Sequence, residues 1–323
     1  MRVLVIGGSG FVGSHVVDTL VNEGIDVVVF DRNMERYRLP LSRVHYVKGE
    51  LGNRGELESV IANGVDQVIH LVSSTVPKTS NDDPIFDVQM NLVESLALFD
   101  LCVKHRVKKV IFTSSGGTVY GIPHVLPISE DHPTNPICSY GIVKLAIEKY
   151  LQFYKHSYNL DYVILRLSNP YGIRQDPSGI QGAVSVFMES LLLGKPIRLW
   201  GDGSIVRDFV NVRDVARLYY AAVTSDVNGI YNGGSGLGVS LLELLEIMSN
   251  QLNIIPKVIH EEARGFDVPT IILNCEKASK KLSWTSKIGL QEGLFEFAEW
   301  LKITSCSSPA KISRSSLLQI KRK

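Results

Sequence analysis

The chain has 323 residues, of which 45% are hydrophobic and 21% charged, and its formal net charge is +1. This composition is ordinary for a globular protein, and the length suits about two domains or one large α/β unit. The neutral charge balance argues against a nucleic-acid partner, which requires a concentrated basic surface, and no segment has the roughly 18 uninterrupted apolar residues of a transmembrane helix.

The four cysteines at 102, 138, 275 and 306 have no CxxC spacing. They indicate neither a zinc site nor a disulfide framework. We therefore expect a cytoplasmic protein with no metal and no integral membrane association.

Strand and helix patterns alternate along the first half of the chain. Runs rich in β-branched residues predict strands at 2–6, 26–30, 44–47, 67–72, 109–114 and 162–167. Helical patterns lie between them at 11–23, 54–62, 87–105 and 139–157. The alternation predicts an α/β fold with a doubly wound parallel sheet of the Rossmann type.

A glycine-rich loop joins the first predicted strand to the first predicted helix. The segment "VIGGSGFVGSHVV" places Gly7, Gly10 and Gly13 there, with Phe11 and Val12 between the last two glycines. Glycines permit a tight turn and close backbone approach, and a helix N-terminus binds a pyrophosphate. The sequence therefore predicts dinucleotide binding, and the absence of a GK[ST] motif argues against a nucleoside triphosphate site.

The second strand leads into Asp31. An acidic side chain about 20 residues after the glycines accepts hydrogen bonds from the adenine ribose hydroxyls and repels a 2′-phosphate. This favours NAD over NADP as the cofactor, although Arg32 could partly offset the repulsion.

After residue 168 the alternation gives way to turn-rich sequence, "SNPYGIRQDPSGIQG". Irregular segments near the carboxyl ends of parallel strands commonly bind the substrate. We predict an NAD-binding Rossmann domain over 1–168, rejoined by about 205–235. A smaller α/β substrate domain is predicted over 169–204 and 236–303, and a disordered basic tail over 304–323.

Tyr140 and Lys144 lie four residues apart in "SYGIVKLAIEKY", so they share one face of a predicted helix. The segment "KVIFTSSGGTVYG" follows the fifth strand and places Ser115 and Thr118 near the cofactor crevice. With these residues in place, the chain resembles an extended short-chain dehydrogenase/reductase. Within that group it is most similar to the NAD-dependent nucleotide-sugar epimerases and dehydratases, and closest to the UDP-hexose 4-epimerases.

The resemblance covers essentially residues 1–300. Besides the glycine loop and the YxxxK pair, it is carried by "HLVSS" at 70–74, "RLSNPYG" at 166–172, "GDGSIVRDFVNVRD" at 201–214 and "ARGFDVP" at 263–269. It implies that the cofactor site also includes Glu50, Leu51, Leu71, Asn91, Tyr140 and Lys144. It implies that the substrate site consists of Ser115, Thr118, Asn169, Arg207, Arg264 and Asp267, with the two arginines suited to a diphosphate.

The resemblance also implies the catalytic roles. Tyr140 is expected to act as the base, helped by the positive charge of Lys144, because an unperturbed phenol has a pKa near 10. Ser115 is expected to hydrogen-bond the reacting sugar oxygen. An extra glycine in "SSGGTVYG" relative to the family pattern leaves Thr118 open as the alternative hydroxyl.

The expected reaction is C4 epimerisation of a nucleotide sugar through a transient 4-keto sugar. Dehydratases of the family carry an acid pair after the catalytic hydroxyl, where this chain has Gly116, Gly117 and Thr118. The alternatives are an NAD(P)-dependent nucleotide-sugar reductase or dehydratase, or a non-catalytic nucleotide-binding relative.

The choice of sugar and the oligomeric state stay open. The resemblance places Ile271 where family members control the space for an acetamide group, so both UDP-glucose/galactose and the N-acetylhexosamine equivalents are candidates. A homodimer is expected through the helices at 87–105 and 139–157, because relatives often pair two such helices.

Overall fold

The computed structural model describes residues 1–177, 182–262 and 268–305. The strands of these ranges, in chain order, are β1 (Arg2–Ile6), β2 (Asp26–Asp31), β3 (Val44–Lys48), β4 (Gln67–His70), β5 (Lys109–Ser115), β6 (Asp161–Leu167), β7 (Asn169–Tyr171), β8 (Ile197–Trp200), β9 (Val206–Asn211), β10 (Gly229–Gly233), β11 (Gly238–Ser240), β12 (Val258–Glu261) and β13 (Thr270–Ile271).

The helices of the same ranges are α1 (Phe11–Asn22), α2 (Arg54–Ile61), α3 (Pro77–Ser80), α4 (Pro84–Asp87), α5 (Glu94–Lys104), α6 (Ser139–Tyr158), α7 (Ala183–Leu192), α8 (Val212–Thr224), α9 (Leu241–Leu252), α10 (Glu276–Leu282) and α11 (Leu290–Ser305). A π-helical segment, Val88–Val93, joins α4 to α5. No helix within the described ranges is both long enough and apolar enough to cross a bilayer.

Seven strands form the central sheet in the order β10-β6-β5-β4-β1-β2-β3. Every neighbouring pair in it is parallel. The predicted doubly wound Rossmann-type sheet is therefore confirmed. The edge strand β10 was missed because its sequence, GIYNG, is short and rich in turn-forming residues.

Helices cover both faces of the sheet, so its inner strands are buried on both sides. One apolar cluster combines Val3 and Val5 of β1 with Leu20 of α1 and Tyr219 of α8. On the opposite face, Phe99 of α5 and Ile147 of α6 belong to a second cluster. The sheet thus has a helical layer on each side, and its carboxyl edge stays free for a site.

The smaller layer holds β7, β9, β11 and β13 in one sheet and pairs β8 with β12. A separate apolar cluster here includes Met188, Leu199, Leu244 and Phe297. The segment that follows β9 returns to the central layer, because α8 packs on α1 and β10 pairs with β6. On this basis we propose the two-domain division given above.

The helical pattern predicted over 87–105 is confirmed, because the last residue of α4, the π-helical turn and α5 follow one another without a gap up to Lys104. The π-helical turn coincides with buried side-chain hydrogen bonds of Asp87 and Asn91, so tertiary contacts locally override the regular helical pattern. At the other end of the chain, α11 continues to Ser305, two residues into the predicted tail, and 306–323 lie outside the described residues.

Candidate active site

The glycine loop lies at the carboxyl end of β1 and leads directly into α1. Gly7 has a φ of 87°, in the left-handed region that favours glycine. A Cβ on Gly13 would lie 2.1 Å from the carbonyl oxygen of Gly7, so only glycine allows the loop and the helix to pack this closely. Gly10 caps α1 without any side-chain hydrogen bond. The first turn of α1, with Phe11 and Val12, therefore keeps backbone donors available for a phosphate group.

Asp31 ends β2 beside this loop. Its carboxylate accepts hydrogen bonds from the backbone nitrogens of Ser9, at 3.0 Å, and Asn33, at 2.9 Å. Each carboxylate oxygen retains acceptor capacity for a ribose hydroxyl. Arg32 is exposed next to it.

Three more predicted cofactor residues follow neighbouring strand ends. Glu50 is exposed and Leu51 half-buried just after β3, whose end is tied to β2 by the Gly49 N–H donating to the Asp31 carbonyl oxygen. Leu71 follows β4 and packs close to Gly7. Together with Asp31 and the bare N-terminus of α1, this edge fits a dinucleotide such as NAD.

Asn91 has its amide group bound within the protein. Its Oδ1 accepts a hydrogen bond from the Ser74 backbone nitrogen at 2.7 Å, and its Nδ2 donates to Thr75 Oγ1 and Asp87 Oδ1. Asn91 is 4% exposed. Its contribution to the cofactor site is thus to hold the loop after β4 in place.

Tyr140 lies in the first turn of α6, and Lys144 follows one turn later. Lys144 is 3% exposed, and its Nζ donates a hydrogen bond to the Thr113 carbonyl oxygen at 3.0 Å. The same Nζ lies 5.5 Å from the centroid of the Tyr140 ring. The two side chains thus share one face of α6 that is turned towards the end of β5.

Burial dominates the electrostatics of the pair. It lowers the pKa of Lys144 to about 8, while the charges of Asp87 and Glu148 act in the opposite direction. It raises the pKa of Tyr140 above the ordinary phenol value, and Cys138 and Asp87 add to the increase. A phenol in this environment needs added positive charge nearby before it can accept a proton as phenolate.

The two candidate hydroxyls belong to the end of β5 and to the loop that follows it. Ser115 is the last residue of β5 and is half-buried. The Thr118 hydroxyl is buried without a hydrogen-bond partner, and a Cβ on Gly141 would lie 3.2 Å from the Thr118 Cβ. Thr118 therefore packs against the residue that follows Tyr140.

Two of the predicted substrate residues, Asn169 and Arg207, lie on strands of the smaller layer. Asn169 on β7 donates through Nδ2 to the Asp208 carbonyl oxygen at 3.0 Å. Arg207 on β9 donates through Nη1 to the carbonyl oxygens of Val206 and Val268. The predicted partners Arg264 and Asp267 lie outside the described residues.

Ile271 on β13 pairs with Arg207 in the sheet register. It is 1% exposed and packs in an apolar cluster with Tyr120 and Leu273. The strand that carries Arg207 therefore also fixes the position of Ile271.

The sequence interpretation missed a buried ion pair behind the site. Arg166 Nη2 lies 2.6 Å from Glu148 Oε2, and the two side chains are 3% and 0% exposed. Ser114 Oγ also donates to Glu148. A sequence signal for this ion pair was present. An arginine lies within the apolar strand "YVILRL", and a glutamate follows Lys144 by four residues. A buried charge requires a partner of opposite charge.

A group of three or more His, Cys, Asp or Glu arranged to hold a metal ion does not occur among the described residues.

The comparisons with known proteins agree with this geometry. Residues 3–234 match the model of the NAD dependent epimerase/dehydratase family. The UDP-glucose 4-epimerase of Mycolicibacterium smegmatis is 35% identical over 310 residues, covering 94% of this chain and 99% of that protein.

Two solved structures are also close. The UDP-glucose 4-epimerase of Thermotoga maritima with UDP-glucose superposes with a TM-score of 0.91 at 35% identity, covering 94% of this chain and all of that chain. The UDP-N-acetylglucosamine 4-epimerase of Methanobrevibacter ruminantium M1, in complex with UDP-N-acetylmuramic acid, gives 0.88 at 30% identity, with 94% and 98% covered. By its glycine loop, its Tyr140 and Lys144 pair and its match over 3–234, this chain belongs to the NAD-dependent epimerase/dehydratase family.

Proposed function

We propose that this protein is a UDP-sugar 4-epimerase that retains NAD as a resident cofactor. The observation that carries the proposal is the placement of Tyr140 and buried Lys144 at the end of β5, in the sheet whose strand β1 leads into the glycine loop. Burying a lysine costs stability, and such costly groups are concentrated at functional sites. That cost argues against a non-catalytic relative.

Each of the three catalytic side chains has a defined task. Tyr140 accepts the proton of the sugar C4 hydroxyl and later returns it, and Lys144 supplies the positive charge that makes the phenolate accessible. Ser115 hydrogen-bonds the reacting oxygen, with Thr118 as the alternative. The glycine loop and Asp31 would hold NAD, which would supply reversible hydride transfer with the sugar.

Epimerisation is favoured over dehydration by the residues after β5. Gly116 and Gly117 carry no acid or base, and a Cβ on Gly116 would lie 2.6 Å from the Leu273 side chain. A carboxylate side chain at that position would therefore need a shift of Leu273. Without a second acid and base, removal and return of a hydride is the chemistry available.

We propose that Arg207, Arg264 and Asp267 contact the uridine diphosphate part of the substrate. Arg207 donates to the carbonyl oxygen of Val268, the residue that follows Asp267 in the sequence. A guanidinium suits diphosphate oxygens. We propose both hexose and N-acetylhexosamine as candidate sugars, since the relatives named above include a UDP-glucose 4-epimerase and a UDP-N-acetylglucosamine 4-epimerase.

We also propose a cytoplasmic homodimer. One side of α6 exposes apolar and aromatic side chains to solvent, namely Ile142, Tyr150, Phe153 and Tyr158. Such a patch on a helix that packs against α5 is typical of an interface between copies. Cys102, Cys138 and Cys275 are free thiols, which suits a reducing compartment.

The test is to incubate the purified protein with UDP-glucose and, separately, with UDP-N-acetylglucosamine, without added cofactor. NMR of the anomeric protons follows the formation of the galacto epimer. We expect conversion of at least one sugar, lost in Tyr140→Phe. If neither sugar converts, even with added NAD, the epimerase proposal fails. Size-exclusion chromatography with light scattering tests the dimer.

A further inference from the structure

The start of α6, which carries Tyr140, is capped by a different segment of the chain. Cys138 caps this helix without a side-chain hydrogen bond. Instead, the Ser139 backbone nitrogen donates to Asn81 Oδ1, and the Tyr140 backbone nitrogen donates to Ser80 Oγ, both at 3.0 Å. The first donors of a helix need such partners. The segment at 76–87 thus fixes where the catalytic helix begins.

Asp87 connects this capping segment to the loop after β4. Its Oδ2 accepts a hydrogen bond from Ser139 Oγ at 2.7 Å, while its Oδ1 accepts from Thr75 Oγ1 at 2.6 Å and from Asn91 Nδ2 at 2.8 Å. Asp87 is 0% exposed. Three donors from three parts of the chain therefore converge on one buried carboxylate.

No ion pair among the described residues includes Asp87, which is unusual for a fully buried carboxylate. Its hydrogen bonds compensate its burial. Its charge opposes the lowering of the Lys144 pKa by burial. A neutral asparagine could bond the same three groups by donating to the Ser139 hydroxyl instead of accepting from it, so the charge itself calls for an explanation.

We propose that Asp87 is a positioning residue for the reaction: it holds the start of α6 against the loop after β4 and supplies negative charge that keeps buried Lys144 protonated. The proposal rests on the catalytic roles given above to Tyr140 and Lys144. It assigns two functions to one carboxylate, a geometric one through Ser139 and an electrostatic one through Lys144.

Other titratable and charged groups near Lys144 define the electrostatic background. Tyr140 and Glu148 lie on its own helix and His70 on β4. Tyr219 on α8 acts on Tyr140, and Arg166 on β6 pairs with Glu148. Glu148 is paired with Arg166, so its charge is largely compensated. Asp87 is therefore the carboxylate whose removal changes the field at Lys144 most directly.

Asp87→Asn is the central variant because it removes the charge and keeps the shape. The new Oδ1 can accept from Thr75 and Asn91, and its amide can donate to the Ser139 hydroxyl, which can accept as well as donate. Asp83→Asn is the matched control, since Asp83 caps α4 by accepting from the Phe86 nitrogen and has no bond to α6. Ser139→Ala removes the geometric link and leaves the charge intact.

We expect Asp87→Asn to lower kcat by about tenfold or more and to change the KM for the UDP-sugar by less than about threefold. Loss of the negative charge lowers the pKa of both Tyr140 and Lys144. The whole pH profile of kcat should therefore move to lower pH by roughly half a unit or more. Ser139→Ala should lower kcat without moving the profile, and Asp83→Asn should match wild type.

A readout independent of turnover is the titration of Lys144 itself. In protein labelled with ¹³C at the lysine ε-carbon, the Lys144 resonance is assigned by its loss in Lys144→Met. Its midpoint should fall in Asp87→Asn and stay unchanged in Ser139→Ala and Asp83→Asn. An unchanged midpoint and pH profile in folded Asp87→Asn would overturn the proposal. If the wild type converts no sugar, the proposed function fails, while this titration still tests Asp87.

Discussion

Arg166 and Glu148 form an ion pair in the core, 2.6 Å apart, between the strand β6 and the helix that carries Tyr140 and Lys144. The guanidinium also lies over the Tyr120 ring, with 4.7 Å from Arg166 Cζ to the ring centroid. Both charges are removed from water, so each depends on the other.

Breaking this pair should be costly. We expect Arg166→Met to lower the free energy of unfolding by about 3–5 kcal/mol, because it leaves the Glu148 charge buried without a partner. Urea unfolding measures the change. The double variant Glu148→Leu with Arg166→Met should lose less than Arg166→Met alone. Equal losses in the single and double variants would contradict this account.

Gly13→Ala should prevent cofactor binding. The added Cβ would lie 2.1 Å from the Gly7 carbonyl oxygen and 2.7 Å from the Gly8 Cα, so the loop or α1 must shift. We expect a loss of about 1–3 kcal/mol in stability and no detectable NAD after purification. Gly52→Ala is the control, since no atom lies within 4 Å of the Cβ it would add. NAD content by absorbance after denaturation is the measurement.

Lys144→Met should be inactive and yet more stable than the wild type at neutral pH. The folded state lowers the pKa of Lys144 from 10.5 to about 8, so the unfolded chain binds more protons between these values. The penalty for burying the ammonium is therefore present in full below pH 8. It is relieved as the pH rises from about 8 towards 10.5.

We expect the gain in the free energy of unfolding for Lys144→Met to be on the order of 2 kcal/mol at pH 7, after allowing for the lost hydrogen bond to Thr113. The gain over the wild type should shrink as the pH is raised to 10. Lys149→Met, which changes an exposed lysine on the same helix, should show no such dependence. A Lys144→Met protein less stable than wild type at pH 7 would refute this reading.

Ser115→Ala and Thr118→Ala distinguish the two candidate hydroxyls. We expect Ser115→Ala to lower kcat by about 100-fold or more, because it removes the group that steadies the proton in transfer. Thr118→Ala should cost much less activity, because its hydroxyl is buried and its Cβ lies against Gly141. The opposite ranking in a steady-state assay would assign the role to Thr118.

Much of the fold could be predicted from the sequence, because buried parallel strands have runs of apolar residues and the helices between them have a regular helical pattern of apolar residues. Strand β6 is the clearest case, with "YVILRL" inside the observed Asp161–Leu167. The edge strand β10 escaped notice because only one side of it pairs, and its glycines carry no apolar signal.

The candidate site likewise contains some residues that the sequence reveals and others that only the structure shows. Gly7, Asp31, Tyr140 and Lys144 are recognisable because they occur at fixed spacings within one strand-helix unit. Asp87 could not be recognised in the sequence, because its role depends on hydrogen bonds with Thr75, 12 positions before it, and Ser139, 52 positions after it. Hydrogen bonds between distant segments leave no periodic trace in a sequence.

The position of β10 at the sheet edge has a consequence for the order in which the protein can assemble during synthesis. β10 pairs with β6, but β7, β8, β9 and α8 are translated between them. While the ribosome extends the chain from residue 168 to residue 228, β6 has no partner on its outer side. The NAD-binding layer is therefore completed only after much of the second layer has been made. Until β10 is made, this unpaired parallel edge can pair with another chain instead.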